Sequence, residues 1–217
     1  DEDTLVTAQI DTIELNEIKD LYPLCQTRIN CYISISSSFG QDTATYNETS
    51  GVYLSNPNEA TDVMQSSTNH VVDSTGPKVT YYSLDMSAGK LYMTFDEPVY
   101  AGYFDSSGIS LFKDSTDQTT NNVTLSTSSF VEEYITSTYL EVTFSRADFI
   151  RIKRAGIAEN DTLDASIGVD SSTLEDLAGN GLDGTTEGGY PHPTSIVRDA
   201  TAPSLLAIYS GPSTQNL

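Results

Sequence analysis

The chain has 217 residues, room for one large or two small domains, and sets 31 Asp and Glu against 10 Lys and Arg for a formal net charge of -21. That field repels nucleic acid and anionic membrane surfaces, excludes both as partners, and attracts hard cations, calcium first among them. Hydrophobic residues make up 37 %, with 13 Tyr and 7 Phe, in short alternating runs that argue against bulk disorder, and no run approaches the roughly 20 apolar residues of a membrane span.

In chain order, Val6, Ala8 and Ile10 alternate as a strand, and a short helix comes next. Asp11 is its N-cap candidate, with Glu14 three residues on and Leu15 and Ile18 on one face. Cys25 and Cys31 stand at a spacing that suits a small disulfide loop, with two free thiols as the alternative. Val79 to Leu84 reads as a strand, Ser87 to Lys90 as a hairpin turn with Gly89 at positive φ, and Leu91, Met93 and Phe95 as the buried side of a strand that Pro98 closes. Ile109 to Phe112, Val123 to Ser126 and Tyr139 to Phe144 read as further strands. A helix at 147–154 comes after them, capped by Ser145 with Asp148 three residues on and with Phe149 and Ile152 on one face. Late strands are expected at Ile167 to Val169 and Thr194 to Val197. Many short strands with Gly, Asp and Ser turns predict an all-β, antiparallel sandwich.

The chain also repeats itself. Residues 5–19, LVTAQIDTIELNEIK, align without a gap on residues 139–153, YLEVTFSRADFIRIK, 134 positions later. Asp73 and Pro77 recur as Asp199 and Pro203, 126 positions later. A unit of this size fits one β-sandwich. The expected organisation is the C-terminal part of one repeat at 1–72, a complete repeat at 73–199, and the first strand of another at 200–217, each repeat carrying one short helix.

DSTGPKV at 73–79, GKLYMTFDEPV at 89–99 and EDLAGNGL at 175–182 resemble the bacterial-type Ig-like tandem repeats of surface-layer and adhesin proteins. The strand-plus-helix segments at 5–19 and 139–153 look more like the version in giant cell-surface proteins of unicellular eukaryotes, some of which build extracellular filaments such as mastigonemes. The first half departs from the pattern: SFGQDTATYN stands where the complete unit has EDLAGNGL. The resemblance implies a structural, non-enzymatic protein at the cell surface.

Asp73 and Asp199 at the unit joints, with Asp176, Asn180 and Asp183, form a candidate calcium set; the alternative is that Asp and Thr merely end one strand before Pro opens the next. Asn47, Asn122 and Asn160 head Asn-x-Ser/Thr sequons, which with the cysteines point to a secreted glycoprotein bearing N-linked glycans. Leu205, Leu206, Ile208 and Tyr209 offer a strand for assembly, donated to another copy or continued by covalent neighbours. Asp96 and Glu97 are adjacent and would face opposite sides of a strand, which argues against a glycosidase pair. His70 and His192 are the only histidines, and no nucleophile elbow, phosphate loop or Cys/His metal cluster accompanies them. The sequence therefore reads as a structural subunit of an extracellular filament or appendage, partnered by copies of itself or neighbouring repeats. An adhesin that binds glycan or protein through loop tips is the alternative.

Overall fold

The computed structural model describes residues 7–36, 45–47, 52–54, 65–66, 69–116, 119–132, 136–183 and 191–202. Helix α1 (Thr12–Asp20) comes first, succeeded by four short strands, β1 (Tyr32–Ile33), β2 (Thr45–Asn47), β3 (Val52–Leu54) and β4 (Gln65–Ser66). The main body then holds β5 (Val79–Asp85), β6 (Lys90–Tyr100), β7 (Ile109–Phe112), β8 (Asn122–Thr124), β9 (Phe130–Val131), β10 (Thr136–Thr143), helix α2 (Arg146–Arg154), β11 (Ser166–Val169) and β12 (Ser195–Val197).

Two sheets enclose the core. One runs β12-β5-β6-β10-β9 and the other β11-β7-β8. Their pairings are antiparallel except that β12 lies parallel to β5. The alternation expected of β6 is present: Leu91, Met93 and Phe95 are buried, and Tyr92 and Thr94 between them are half-buried. The buried three join one core with Ile109 and Leu111 of β7, Leu140 and Val142 of β10, and Ile167 of β11. Burying each such side chain contributes roughly 1.5–3 kcal/mol, so this layer dominates the stability of the body. The chain is thus mostly β, with two sheets arranged as in a β-sandwich.

The turn between β5 and β6 forms as its residues dictate. Asp85 Oδ1 accepts the N–H groups of Ser87 and Ala88, and Gly89 takes φ +72°. Pro98 does not close β6, which runs on to Tyr100. The pairing with β10 jumps from Thr94 to Val99, and that with β5 ends at Phe95. Pro98 therefore sits in a bulged stretch where neither ladder needs its missing N–H.

Residues 7–10 do not form the expected strand; Ala8 and Ile10 are exposed and irregular, and Val6 lies outside the described residues. The corresponding segment in β10 is held between β6 and β9, whereas among the described residues no strand flanks 7–10. A strand without a neighbour has no partners for its backbone polar groups.

The helical part of each repeated segment, by contrast, does recur. Helices α1 and α2 are both nine residues long and 134 positions apart. Single 3-10 turns at Arg28–Asn30 and Thr162–Asp164, then β1 and the start of β11, keep that offset. Ile33 pairs with Gln65, while Ile167, its counterpart, donates its N–H to the Pro191 carbonyl at 3.2 Å, 126 positions after Gln65. Burial separates the two segments. Ile152 and Ile167 are 0 % exposed, but Ile33 is 61 % exposed and α1 buries no residue.

Candidate functional site

The chain enters the sandwich at Asp73, ahead of β5, and leaves it at Asp199, past the end of the parallel strand β12. At the entry end, three segments singled out in the sequence converge. In β6, Asp96 faces out: its Oδ1 accepts the Lys78 N–H at 2.7 Å and its carbonyl accepts from Asn16 Nδ2 of α1 at 3.0 Å. Glu97 turns the other way and is 6 % exposed. The loop at 175–181 folds onto it, with Asp176 bridging to Val99 and the Tyr100 N–H donating to the Glu175 carbonyl at 3.0 Å.

Within that loop Asn180 holds Asp176. Its backbone N–H donates to Oδ1 at 2.8 Å and its Nδ2 to Oδ2 at 2.9 Å, with a longer contact of 3.3 Å to the Asp73 carbonyl. Asp73 Oδ1 accepts both the N–H and the hydroxyl of Thr75. The carboxylates of Asp73, Glu97 and Asp176 lie within 4.8 Å of one another. Gly76 makes this closure possible: a Cβ there would stand 1.8 Å from the Gly181 carbonyl oxygen.

A cation from outside the sandwich reaches the cluster. Lys19, in the last turn of α1, places Nζ 2.7 Å from Asp73 Oδ2 and hydrogen-bonds to Glu97. Burial opposes the charge on Lys19, but the bonds to Asp73 and Glu97 outweigh it and its pKa stands above the ordinary lysine value. Burial likewise works against the Asp73 carboxylate, and Lys19 and Thr75 overcome it, so that its pKa is lowered. Glu97 moves up, chiefly by burial, with Asp73 and Asp176 adding to the rise and Lys19 resisting it. One ammonium thus stands against three carboxylates.

The exit end repeats half of this arrangement. Lys153, in the last turn of α2, pairs with Asp199, whose Oδ1 accepts the Thr201 N–H at 2.9 Å as Asp73 accepts that of Thr75. Lys153 also lies 4.7 Å above the Phe149 ring.

Of the candidate calcium residues, Asp73, Asp176 and Asn180 are therefore together, Asp183 stands aside in an exposed pair with Lys78 at 3.1 Å, and Asp199 is at the far end. Asn180 aims its amide NH2 at the Asp73 carbonyl and at Asp176, and the carboxylates of Asp73, Glu97 and Asp176 together could hold a metal ion. Glu97, which from sequence is only part of a pattern, belongs to the cluster, and Lys19 joins it without having been a candidate. A signal for Lys19 exists in the sequence, since Lys19 and Lys153 close the two aligned segments, just as Asp73 and Asp199 mark the second recurring pair.

Cys25 and Cys31 form a disulfide. Asn122 and Asn160 are exposed, and Asn47 ends β2. Leu205, Leu206, Ile208 and Tyr209 lie outside the described residues. His70 Nε2–H donates to the Cys25 carbonyl and His192 Nδ1–H to the Ala165 carbonyl, each at 2.7 Å, so both rings fasten backbone loops. Comparison with family models, with curated proteins and with solved structures finds no match.

Proposed function

We propose that this chain is a structural subunit built of tandem Ig-like antiparallel β-sandwich repeats joined in series, and that it serves in an extracellular filament or cell-surface appendage. One observation carries the reading: Lys19 of the preceding segment is seated among Asp73, Glu97 and Asp176 of the sandwich, and the same Lys–Asp pair recurs at its other end. The three sequons and the disulfide support an extracellular setting.

In this reading the joint is stiffened by an ammonium at the place where the sequence points to calcium. Lys19 and Asp73 are half-buried and Glu97 is buried, so removing the ammonium leaves three carboxylates facing one another and loosens the preceding segment. Small-angle scattering of the intact chain, with Lys19→Glu beside it, tests the joint. A single extended arrangement is expected for the native chain and a broadened distance distribution for the variant; superimposable curves would remove the joint. Thermal melts test the cation: calcium and chelator curves should coincide for the native chain, whereas Lys19→Met, which bares three carboxylates, should melt higher with calcium. A calcium-dependent rise in the native chain would place a metal there instead. Electron microscopy of the native material tests the biological setting, where ordered fibres are expected and dispersed monomers would refute it.

A further inference from the structure

The outer face of the sheet β12-β5-β6-β10-β9 carries tyrosines in register. Tyr81 of β5, Thr94 of β6 and Tyr139 of β10 stand side by side in one row, and Ser83, Tyr92 and Glu141 of the same strands form the next. Their chain neighbours Tyr82, Met93 and Leu140 are buried in the core, so all six side chains point outward. Tyr81 is 63 % exposed and Tyr139 47 %. The rings of Tyr92 and Tyr139 lie 6.1 Å apart between centres and 18° from parallel. Tyrosine is favoured on any half-exposed sheet, but two observations set this face apart. The repeat does not carry the rings, since Leu5 stands 134 positions before Tyr139 and Ala207 stands 126 positions after Tyr81. The face is also close to neutral on a chain of net charge -21: of the six side chains only Glu141 is charged, and Lys90 pairs with it.

We propose that this face binds an extended, uncharged polysaccharide of β-linked pyranose rings. Such a sugar presents flat C–H faces, which stack on tyrosine rings, and a rim of hydroxyls, which exchange hydrogen bonds with Thr94, Ser83 and the tyrosine hydroxyls. In an extended β-linked chain every second ring turns the same face the same way. Tyr81 and Tyr139 flank Thr94 from strands two places apart, about 10 Å, which suits contact with alternate rings. Charge and composition single out the occupant. The field of the whole chain repels an anionic polymer and a second copy alike, and leaves a neutral one unopposed. No aliphatic side chain stands in the two rows, so an apolar protein segment finds little there to bury against. The inference goes beyond the structural reading and does not depend on the Lys19 joint.

Titration calorimetry of the intact chain with cellohexaose and with chitohexaose tests the face, read in parallel by tyrosine emission, which no tryptophan masks. Saturable binding is expected with these β-linked hexamers, and none with the coiled, α-linked maltohexaose or with anionic polygalacturonate. Tyr92→Ala and Tyr139→Ala together should weaken binding at least about tenfold. Tyr103→Ala, which removes an exposed ring packed edge-on to Tyr100 outside the two rows, should leave it unchanged. If the alanine variants lose their cooperative melt, Ser83→Arg keeps every ring while laying a long side chain across the face, and should abolish binding. Failure of both β-linked hexamers to bind, or binding that the Tyr92, Tyr139 and Ser83 variants leave intact, overturns the proposal. So does self-association in sedimentation that Tyr139→Ala removes, since a second copy would then cover the face.

Discussion

Asp148 shows how one carboxylate organises a region. It is 1 % exposed, yet its Oδ2 accepts from the Ser126 N–H and from the hydroxyls of Ser126, Ser129 and Ser145, while Oδ1 pairs with Arg151. Burial opposes its charge, but the Ser126 hydroxyl, Arg151 and the remaining donors outweigh it and hold the pKa well below the ordinary value of 3.8. A carboxylate whose folded pKa is depressed stabilises fully above its unfolded pKa and loses that contribution as pH falls toward the folded one. Denaturant unfolding should therefore give a plateau from neutral pH down to about 5 and a decline below about 4, with the decline reduced in Asp148→Asn. At neutral pH that variant should lose about 3 kcal/mol, and a loss under about 1 kcal/mol would mean the network is idle. The Ser-x-x-Asp spacing announces Ser145 and Asp148 as a helix start, and Ser145 does cap α2. Ser126 and Ser129 carry no such signal, because they arrive from a loop some twenty positions away and only folding brings them in. Lys19 is hard to single out for the same reason: its partners are Asp73 and Glu97, across a gap in sequence that periodicity cannot span.

Among elements, α1 and α2 make a natural comparison, since they share length and capping position but not burial. Ser145 Oγ accepts the Asp148 N–H, and Asp11 Oδ1 accepts that of Glu14. Ile152 is 0 % exposed in the core, whereas its counterpart Ile18 is only half-buried. Ile152→Ala should therefore cost about 2–5 kcal/mol by calorimetry, while Ile18→Ala leaves the main transition in place. Equal effects would show that the two helices are anchored alike. The two-residue β9 leaves no apolar run in the sequence, whereas strands β5 to β8, β10, β11 and β12 are legible there because their apolar runs are local. Pro98 and residues 7–10 are not, because whether a segment enters a ladder depends on a neighbour, and neighbours are chosen by the whole fold. Gly76 belongs here as well: Gly76→Ala sets a Cβ against the Gly181 backbone and should lower the melting temperature by several degrees.

At the scale of the whole molecule, the described residues divide into an enclosed body and an exposed leading segment. Ile10, Ile13, Ile29 and Ile33 are 50–80 % exposed, whereas Ile167, the counterpart of Ile33 in the sandwich, is fully enclosed. An environment-sensitive hydrophobic dye should bind the intact chain and largely ignore residues 74–202; equal binding would place the sticky surface elsewhere. The strands that carry the chain into and out of the sandwich have a mechanical consequence. Because β12 runs parallel to β5, with Ser195, Ile196 and Val197 beside Ser83, Leu84 and Asp85, a pull between entry and exit slides one strand along the other. Their hydrogen bonds then carry the load together and resist by shear, instead of opening one after another as in a peeled hairpin. A tether made of such units would lengthen under tension by abrupt, well-separated yielding events, each one a whole sandwich giving way.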